Sequence, residues 1–491
     1  MWEASNSLAL GLTVLSALLL ILAYPPFDQG WLAWIALVPW IHLLSRSSGR
    51  QASLHSYLLG FLFFAGTIWW VVLVTVPGAI LLVVVLALFF AGWGWWTHRA
   101  LQRHCPLWAL PAAWVLLEYL RSILFTGFGW NLLAYTQWNW LPVIQIAEAT
   151  GAYGVSFLLV LVNFALWRGM NCRSFRPAVV PLLCLGMIWG IGRFLPPIPS
   201  LEQEIRIACL QGNIPQTQKW DEAFQEAIWK RYQQLLEKAV EAKPDLIVWP
   251  ETAVPGFLED PLIADRLTGL SRTAGTAMLV GAPTVDGEKI FNSAILLSSE
   301  GEEILRYDKV HLVPFGEFIP LKPVLGWLKK FYPVADFAPG KTFSLFNLEA
   351  KARNVTLPFS VLICFEDLFP GLCRNFVRRG TKVLLVITND AWFGRSAASL
   401  QHLQASVFRA VENRVWVMRA ANTGWTGFID PQGRRLPPPG QIPRFKAGVA
   451  VADLQISPWP PTLYSRWGDW FVALCLILAI MGFSRWKRSS N

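Results

Sequence analysis

The chain has 491 residues, 54% of them hydrophobic and only 15% charged. A soluble globular chain carries roughly 25% charge, so the deficit excludes an ordinary soluble protein and points to an integral membrane protein. The formal net charge of +10 does not imply nucleic acid, because the basic residues lie mainly in short loops between apolar runs, where topology accounts for them.

Apolar stretches near the roughly 20 residues that cross a bilayer occur at 7–24, 31–45, 56–76, 79–97, 107–125, 152–168 and 177–195, with an eighth at 467–484. The second is short and contains Pro39. The first lacks a basic leader and a small-x-small cleavage site, which argues against a secretory signal. The 27 Trp and 31 Phe suit interfacial belts. Arg46 and Arg50, Arg99 and Arg103, then Arg168, Arg173 and Arg176 fall in alternate loops, and Arg485, Lys487 and Arg488 follow the last stretch. Loops 25–30, 77–78 and 126–151 hold no Lys or Arg. By the positive-inside rule both termini are cytoplasmic, and residues 196–466 lie on the outer side. The fifth stretch carries Glu118 and Arg121, spaced to pair with each other.

Residues 201–456 change character. Short apolar runs at Arg206–Gln211, Asp245–Trp249, Ala277–Gly281, Ala294–Leu297, Ser360–Ile363, Val383–Thr388, Val415–Ala420 and Gly427–Ile429 read as strands. Amphipathic stretches near 221–242, 261–274, 370–379 and 399–413 read as helices, the first capped by Asp221. Alternating strands and helices predict a layered α/β domain. The expected organisation is a transmembrane domain over 1–196, a catalytic domain over 201–456, and a final span with its tail over 466–491.

Three motifs carry chemistry. Glu251 follows the run Asp245–Trp249 and Pro250, and its apolar surroundings favour a proton-accepting carboxylate near neutral pH. Lys309 ends Ile304-Leu-Arg-Tyr-Asp-Lys309 and offers a fixed positive charge; an exposed lysine paired with Asp308 is the competing reading. Cys364 ends Ser360-Val-Leu-Ile-Cys364, where a strand stops and a turn begins. A lone Cys is usually a core residue, but a thiol beside a base and a cation is a nucleophile. Glu317 and Glu366 are candidate supporting carboxylates. The seven Cys show no CxxC and no even framework, so neither a metal site nor a disulfide scaffold is expected.

Glu251, Lys309 and Cys364 together resemble the nitrilase superfamily, which uses a Glu-Lys-Cys triad on an αββα sandwich. With flanking spans, the phrases Gln211-Gly-Asn-Ile-Pro-Gln216, Trp249-Pro-Glu-Thr-Ala253, Lys309-Val-His-Leu-Val-Pro-Phe-Gly-Glu317 and Thr388-Asn-Asp-Ala-Trp-Phe393 resemble the apolipoprotein N-acyltransferases within it. The resemblance implies an α-helical bundle of about eight spans plus a nitrilase-like sandwich. It also implies Glu251 as base, Lys309 as oxyanion stabiliser, Cys364 as nucleophile, and Glu317, Glu366 and Phe365 as supports. Trp220 matches a tryptophan at the family's substrate entrance and, with Trp249, would bind substrate. Phe365 stands where some members carry Tyr, so a hydrogen bond from that hydroxyl is absent. The implied substrates are a phospholipid acyl donor and a diacylglyceryl apolipoprotein acceptor, exchanged through a Cys thioester, with no cofactor. The implied location is the bacterial inner membrane, with the catalytic domain periplasmic.

The loop Pro314–Lys341 is long and aromatic, with Phe315, Phe318, Trp327, Phe331, Tyr332 and Phe337 beside Lys322, Lys329 and Lys330. It is expected to serve as a lid at a membrane interface. Two other functions fit parts of the pattern. A membrane-anchored amidase or nitrile hydrolase would use the same triad with water as acceptor. A transporter or receptor with a ligand-binding outer domain would need no triad.

Overall fold

The computed structural model describes residues 6–174, 176–193, 204–320, 322–327, 336–350, 353–456 and 459–484. The chain divides into two units, Met1–Pro196 with Thr462–Asn491, and Pro197–Pro461. The basic tail of Arg485, Lys487 and Arg488 lies outside the described residues.

The first unit is helical. Among the described residues, Asn6–Ala23, Val76–Leu101 and Ala152–Asn171 are long and apolar enough to cross a membrane. The stretch 31–45 is not one helix. It divides into a 3₁₀ turn, Gly30–Trp34, and a nine-residue helix, Val38–Arg46, with Pro39 in its first turn. Proline lacks an N–H and is tolerated where a helix starts, not where one runs through. The stretch 56–76 is also displaced: its helix is Gly49–Thr67, followed by a 3₁₀ turn, Trp69–Leu73. Ser48 sets that start, its Oγ accepting from Gln51 N at 3.3 Å while Gln51 Oε1 accepts from Ser48 N at 2.9 Å, a reciprocal cap. The remaining apolar segments form Ala109–Ile123, Arg176–Arg193 and Trp470–Ser484. Close packing is set by small residues and rings: Trp40 stacks on Trp93 at 4.3 Å.

Glu118 and Arg121 are both buried, and each bonds to the loop that follows their helix. Leu133 N donates to Glu118 Oε1 at 2.7 Å, and Arg121 Nη2 donates to Asn131 O at 3.2 Å. Arg121 also lies over the rings of Phe64 and Phe128. Charges placed this deep need partners, and loop backbone supplies them.

The second unit contains two six-stranded sheets. In chain order the strands are β1 (Glu204–Gln211), β2 (Leu246–Val248), β3 (Ala277–Asp286), β4 (Lys289–Leu297), β5 (Glu303–Asp308), β6 (Phe346–Ala350), β7 (Val355–Ile363), β8 (Val383–Thr388), β9 (Trp416–Ala421), β10 (Thr426–Ile429), β11 (Gln441–Ile442) and β12 (Gly448–Gln455). The sheets run β12-β1-β2-β3-β4-β5 and β11-β10-β9-β8-β7-β6. Each has a parallel centre, β1-β2-β3 in one and β7-β8-β9 in the other. Parallel strands are covered on both faces and read as unbroken apolar runs; β8, Val-Leu-Leu-Val-Ile-Thr, is buried throughout. Helices Gln225–Glu241 and Pro261–Ala274 cover the first sheet, where Ile228, Tyr232, Leu236 and Leu267 join Ile247 and Val280 in one core. Helices Pro370–Arg378 and Ala398–Asn413 belong to the second sheet's side, the latter packed on β9 and β10. This is the nitrilase-like sandwich of helices and sheets that the resemblance implies.

β6, β11 and β12 carry weaker patterns. β12 pairs antiparallel with β1 along its whole length, from Glu204↔Gln455 to Gln211↔Gly448, and its small residues gave little apolar signal. Asp221 caps a 3₁₀ turn, Glu222–Phe224, and not the helix itself, which starts at Gln225.

Candidate active site

β2 is a parallel strand of the first sheet, and β7 and β8 are neighbouring parallel strands of the second; a polar residue stands at or just beyond the carboxyl end of each. In parallel sheets these ends form the crevice where ligands bind. Glu251 comes two residues after Trp249, Cys364 directly after β7, and Asn389 directly after β8.

Glu251 is buried and held by three groups. Asn292 Nδ2 donates to Oε1 at 2.8 Å, Asn389 N donates to Oε2 at 2.8 Å, and Lys309 Nζ lies 3.6 Å from Oε1. Lys309, 1% exposed, follows β5 and donates to Glu317 Oε1 at 2.9 Å. Burial alone would lower its pKa. Glu317, Cys364 and Glu251 outweigh burial and raise it, so the ammonium is permanent. Glu317 Oε1 also accepts from Asn292 Nδ2 at 3.0 Å, and its Oε2 accepts from Val313 N at 2.8 Å. One amide nitrogen therefore bridges the two carboxylates that flank Lys309.

Cys364 is buried at the elbow between β7 and a 3₁₀ turn, Cys364–Leu368. Its φ is +58°, a left-handed backbone that a non-glycine residue adopts at a cost. Thr252, next to Glu251, shares that geometry at +43°. Burial raises the Cys364 pKa, Glu251 raises it further, and the opposing pull of Lys309 does not compensate. The thiol form is thereby favoured over the thiolate.

Glu366 is fully buried and acts as a clamp. Its Oε1 accepts from Val310 N at 2.8 Å and His311 N at 2.9 Å, its Oε2 accepts from Ile363 N at 2.7 Å, and Tyr307 Oη donates to both oxygens at 3.0 Å. The clamp joins the segment after Lys309 to the strand end before Cys364. Burial pushes the Glu366 pKa up to about 7, against these hydrogen bonds. Phe365 places its ring 5.3 Å from Lys309 Nζ and packs against His311 and Phe369. Beyond the elbow, Asp367 accepts from Arg419 Nη1 at 2.9 Å and contacts His402 Nε2 at 2.7 Å and Ser406 Oγ. Asp390 contacts His402 Nδ1 at 3.1 Å. His402 therefore belongs to a buried network that supports the elbow.

Trp220 is 51% exposed at the end of a turn. Trp249 is not brought to the site. It is fully buried and stacks on Tyr232 at 4.6 Å, part of the core beneath Glu251. Of the loop 314–341, Phe315 and Trp327 are exposed, Lys322 pairs with Asp336 at 3.0 Å, and both ends are tied to the site. Phe337 N donates to Glu317 O, and Gly340 N donates to Lys309 O. Phe331, Tyr332, Lys329 and Lys330 lie outside the described residues.

Asn292, Asn389, Tyr307 and Lys219 complete the arrangement and were not marked by the motifs as functional. Gly281 explains how close the sheet comes. A Cβ there would sit 2.3 Å from Pro250 O and 2.8 Å from Glu251 Cα. Gly281→Ala is expected to displace Glu251, lowering stability by about 1–3 kcal/mol as overpacking does, with activity falling more steeply; unfolding and turnover measured on one preparation check both.

The comparisons agree along the chain. Residues 16–165 match the family model described as apolipoprotein N-acyltransferase N-terminal domain, and residues 206–462 match carbon-nitrogen hydrolase. The apolipoprotein N-acyltransferase of Geobacter metallireducens is 39% identical, covering 96% of this chain and 95% of its own. That of Pseudomonas putida is 34% identical over 93% of each. A solved mutant of the nitrilase-superfamily amidase from Nesterenkonia AN1 is 22% identical, covers 53% of this chain and 94% of its own, and gives a TM-score of 0.39. With relatives this similar over nearly its whole length and both family domains in order, the chain belongs to the apolipoprotein N-acyltransferase family and is an acyltransferase.

Proposed function

We propose that this protein transfers a fatty acyl group from a membrane phospholipid to the N-terminal amine of diacylglyceryl-cysteine on an apolipoprotein, with Glu251, Lys309 and Cys364 as the reacting centre. The observation that carries the residue assignment is the buried Glu251–Lys309 contact of 3.6 Å, with both charges acting on the Cys364 thiol. Glu251 takes the thiol proton as Cys364 Sγ attacks the ester carbonyl. Lys309 stabilises the oxyanion of the tetrahedral intermediate. The ester C–O bond breaks, protonated Glu251 returns its proton to the departing lysophospholipid oxygen, and Cys364 holds the thioester. The acceptor amine then attacks the thioester carbonyl and loses a proton to Glu251. The C–S bond breaks, and the thiolate recovers that proton. Two half-reactions through one enzyme-bound acyl group make a ping-pong scheme.

Glu317 and Glu366 hold Lys309 and the elbow, Phe365 packs over the ammonium, and Trp220 lines the approach. Trp249 supports Glu251 from the core. The apolar segments embed the chain in the inner membrane, 31–45 as a 3₁₀ turn and a short helix and not as one spanning helix, with both termini cytoplasmic and residues 201–456 periplasmic. That topology rests on the alternation of basic loops. Lipid substrates at a bilayer account for a catalytic domain with this many spans. The purified protein, given phospholipid and a diacylglyceryl-cysteine peptide with a free amine, is expected to add one fatty acyl group to the peptide. A peptide with a blocked amine should stay unchanged. Release of free fatty acid with the peptide unmodified would instead establish a hydrolase.

A further inference from the structure

Lys219 is a second lysine of the site. It lies in the turn after β1, one residue before exposed Trp220, yet it is 5% exposed. Its Nζ donates to the backbone carbonyl of Glu251 at 3.0 Å. The turn is latched in place from beneath. Gln216 Oε1 accepts from Asn389 Nδ2 at 2.9 Å, and Ile214 exchanges hydrogen bonds with the Asn422 side chain, N to Oδ1 at 2.9 Å and Nδ2 to O at 2.8 Å. Asn389 is the residue whose N–H holds Glu251 Oε2. Lys219 is therefore fixed against the Glu251 backbone, and its turn is held through the same Asn389 that holds the Glu251 carboxylate.

The charge count explains why a buried ammonium is kept there. Glu251 and Glu317 both act on Lys309, so these three groups sum to −1. Asp390, which also acts on Cys364, shares Arg419 and His402 with Asp367, so that network has no spare positive charge to lend. Proton transfer from Cys364 to Glu251 leaves a thiolate and Glu317 facing one ammonium. A second buried cation brings the sum to zero, and an uncompensated buried charge is costly.

We propose that Lys219 is a positioning residue that tethers the Glu251 backbone and supplies the second positive charge required for the Cys364 thiolate to form. It acts through Glu251 and Cys364, the two groups whose charges bear on it. Burial pushes its pKa down to about 8, against the pull of both. The ammonium is thus present below that pH and lost above it. The proposal rests on Cys364 being the nucleophile.

Alkylation of Cys364 by iodoacetamide, followed across pH by peptide mass in the full-length protein, tests it without needing lipid turnover. Cys172, exposed in the helical unit, is the internal control. Lys219→Gln keeps a donor for the Glu251 carbonyl but no charge; Lys219→Arg keeps the charge. The expected result is a roughly tenfold or greater slowing of Cys364 alkylation at neutral pH in Lys219→Gln, equivalent to about one pH unit. Lys219→Arg should stay within about threefold, and Cys172 should be unaffected in both. Wild-type alkylation in Lys219→Gln, or equal slowing in both variants, would overturn the proposal. Should Lys219→Gln fail to fold, phospholipid-driven acylation in Lys219→Arg decides. Its alkaline limb should rise by about a unit or more above the wild-type limb near 8, and an unmoved limb would overturn the proposal. If wild type alkylates as expected but never acylates, the acyl-transfer reading fails while the alkylation result still reports on Lys219.

Discussion

Glu251→Gln is expected to slow formation of the Cys364 thioester by about 10²–10⁴-fold, the usual contribution of a positioned general base. The amide has nearly the shape of the carboxylate but cannot take the thiol proton. It also cannot satisfy both donors. Glu251 accepts from the Asn292 amide at one oxygen and from Asn389 N at the other, and a glutamine nitrogen would face one of these N–H groups. A buried unsatisfied donor costs about 1–3 kcal/mol, so a modest fall in stability should accompany the large fall in rate. Single-turnover mass measurements with excess phospholipid read the rate, and unfolding of the same preparation reads the stability. A wild-type acylation rate would mean that another group deprotonates Cys364.

Glu366→Ala is expected to destabilise the catalytic unit by about 3–5 kcal/mol and to abolish turnover with it. The carboxylate receives Val310 N, His311 N, Ile363 N and the Tyr307 hydroxyl, and removal strands these donors in a fully buried place. Glu366→Gln keeps one carbonyl oxygen and should lose about half as much. Both variants also lose a pH dependence that wild type has. Because burial raises the folded Glu366 pKa from the usual carboxylate value of 4.5 to about 7, the folded state binds more protons than the unfolded state between those values. The Glu366 contribution therefore falls as pH rises through that window and is level above it. Glu366→Gln should lack that slope. Denaturant unfolding at pH 5 and pH 8 checks it, and an alanine variant within about 1 kcal/mol of wild type would remove the clamp from the account.

Glu251 and Cys364 were legible in the sequence for a physical reason. A parallel strand buried on both faces writes an unbroken apolar run, so the first polar residues beyond it mark the strand's carboxyl end, where β2 and β7 deliver their side chains. Lys309 was legible because it ends β5 and begins a recognisable phrase. Asn292 gave no such signal. It sits inside β4, and its bridge between Glu251 and Glu317 depends on pairing across β3 and β4 that no local pattern encodes. Lys219 gave no signal in its polar turn, which is held through Asn389 and Asn422. Trp249 was misplaced by adjacency: it neighbours the Glu251 motif, but its ring stacks on Tyr232 in the core. Hydropathy likewise ran across the break at Pro39 and past Thr67, because apolar composition persists where the helix does not.

A fatty-acyl thioester on Cys364 is the intermediate that joins the two half-reactions, and intact mass of the purified protein after incubation with phospholipid detects it. Wild type is expected to gain the mass of one fatty acyl group, removable by hydroxylamine, while Cys364→Ala gains none. An adduct of equal yield on both proteins, or lipid turnover by Cys364→Ala at the wild-type rate, would contradict it.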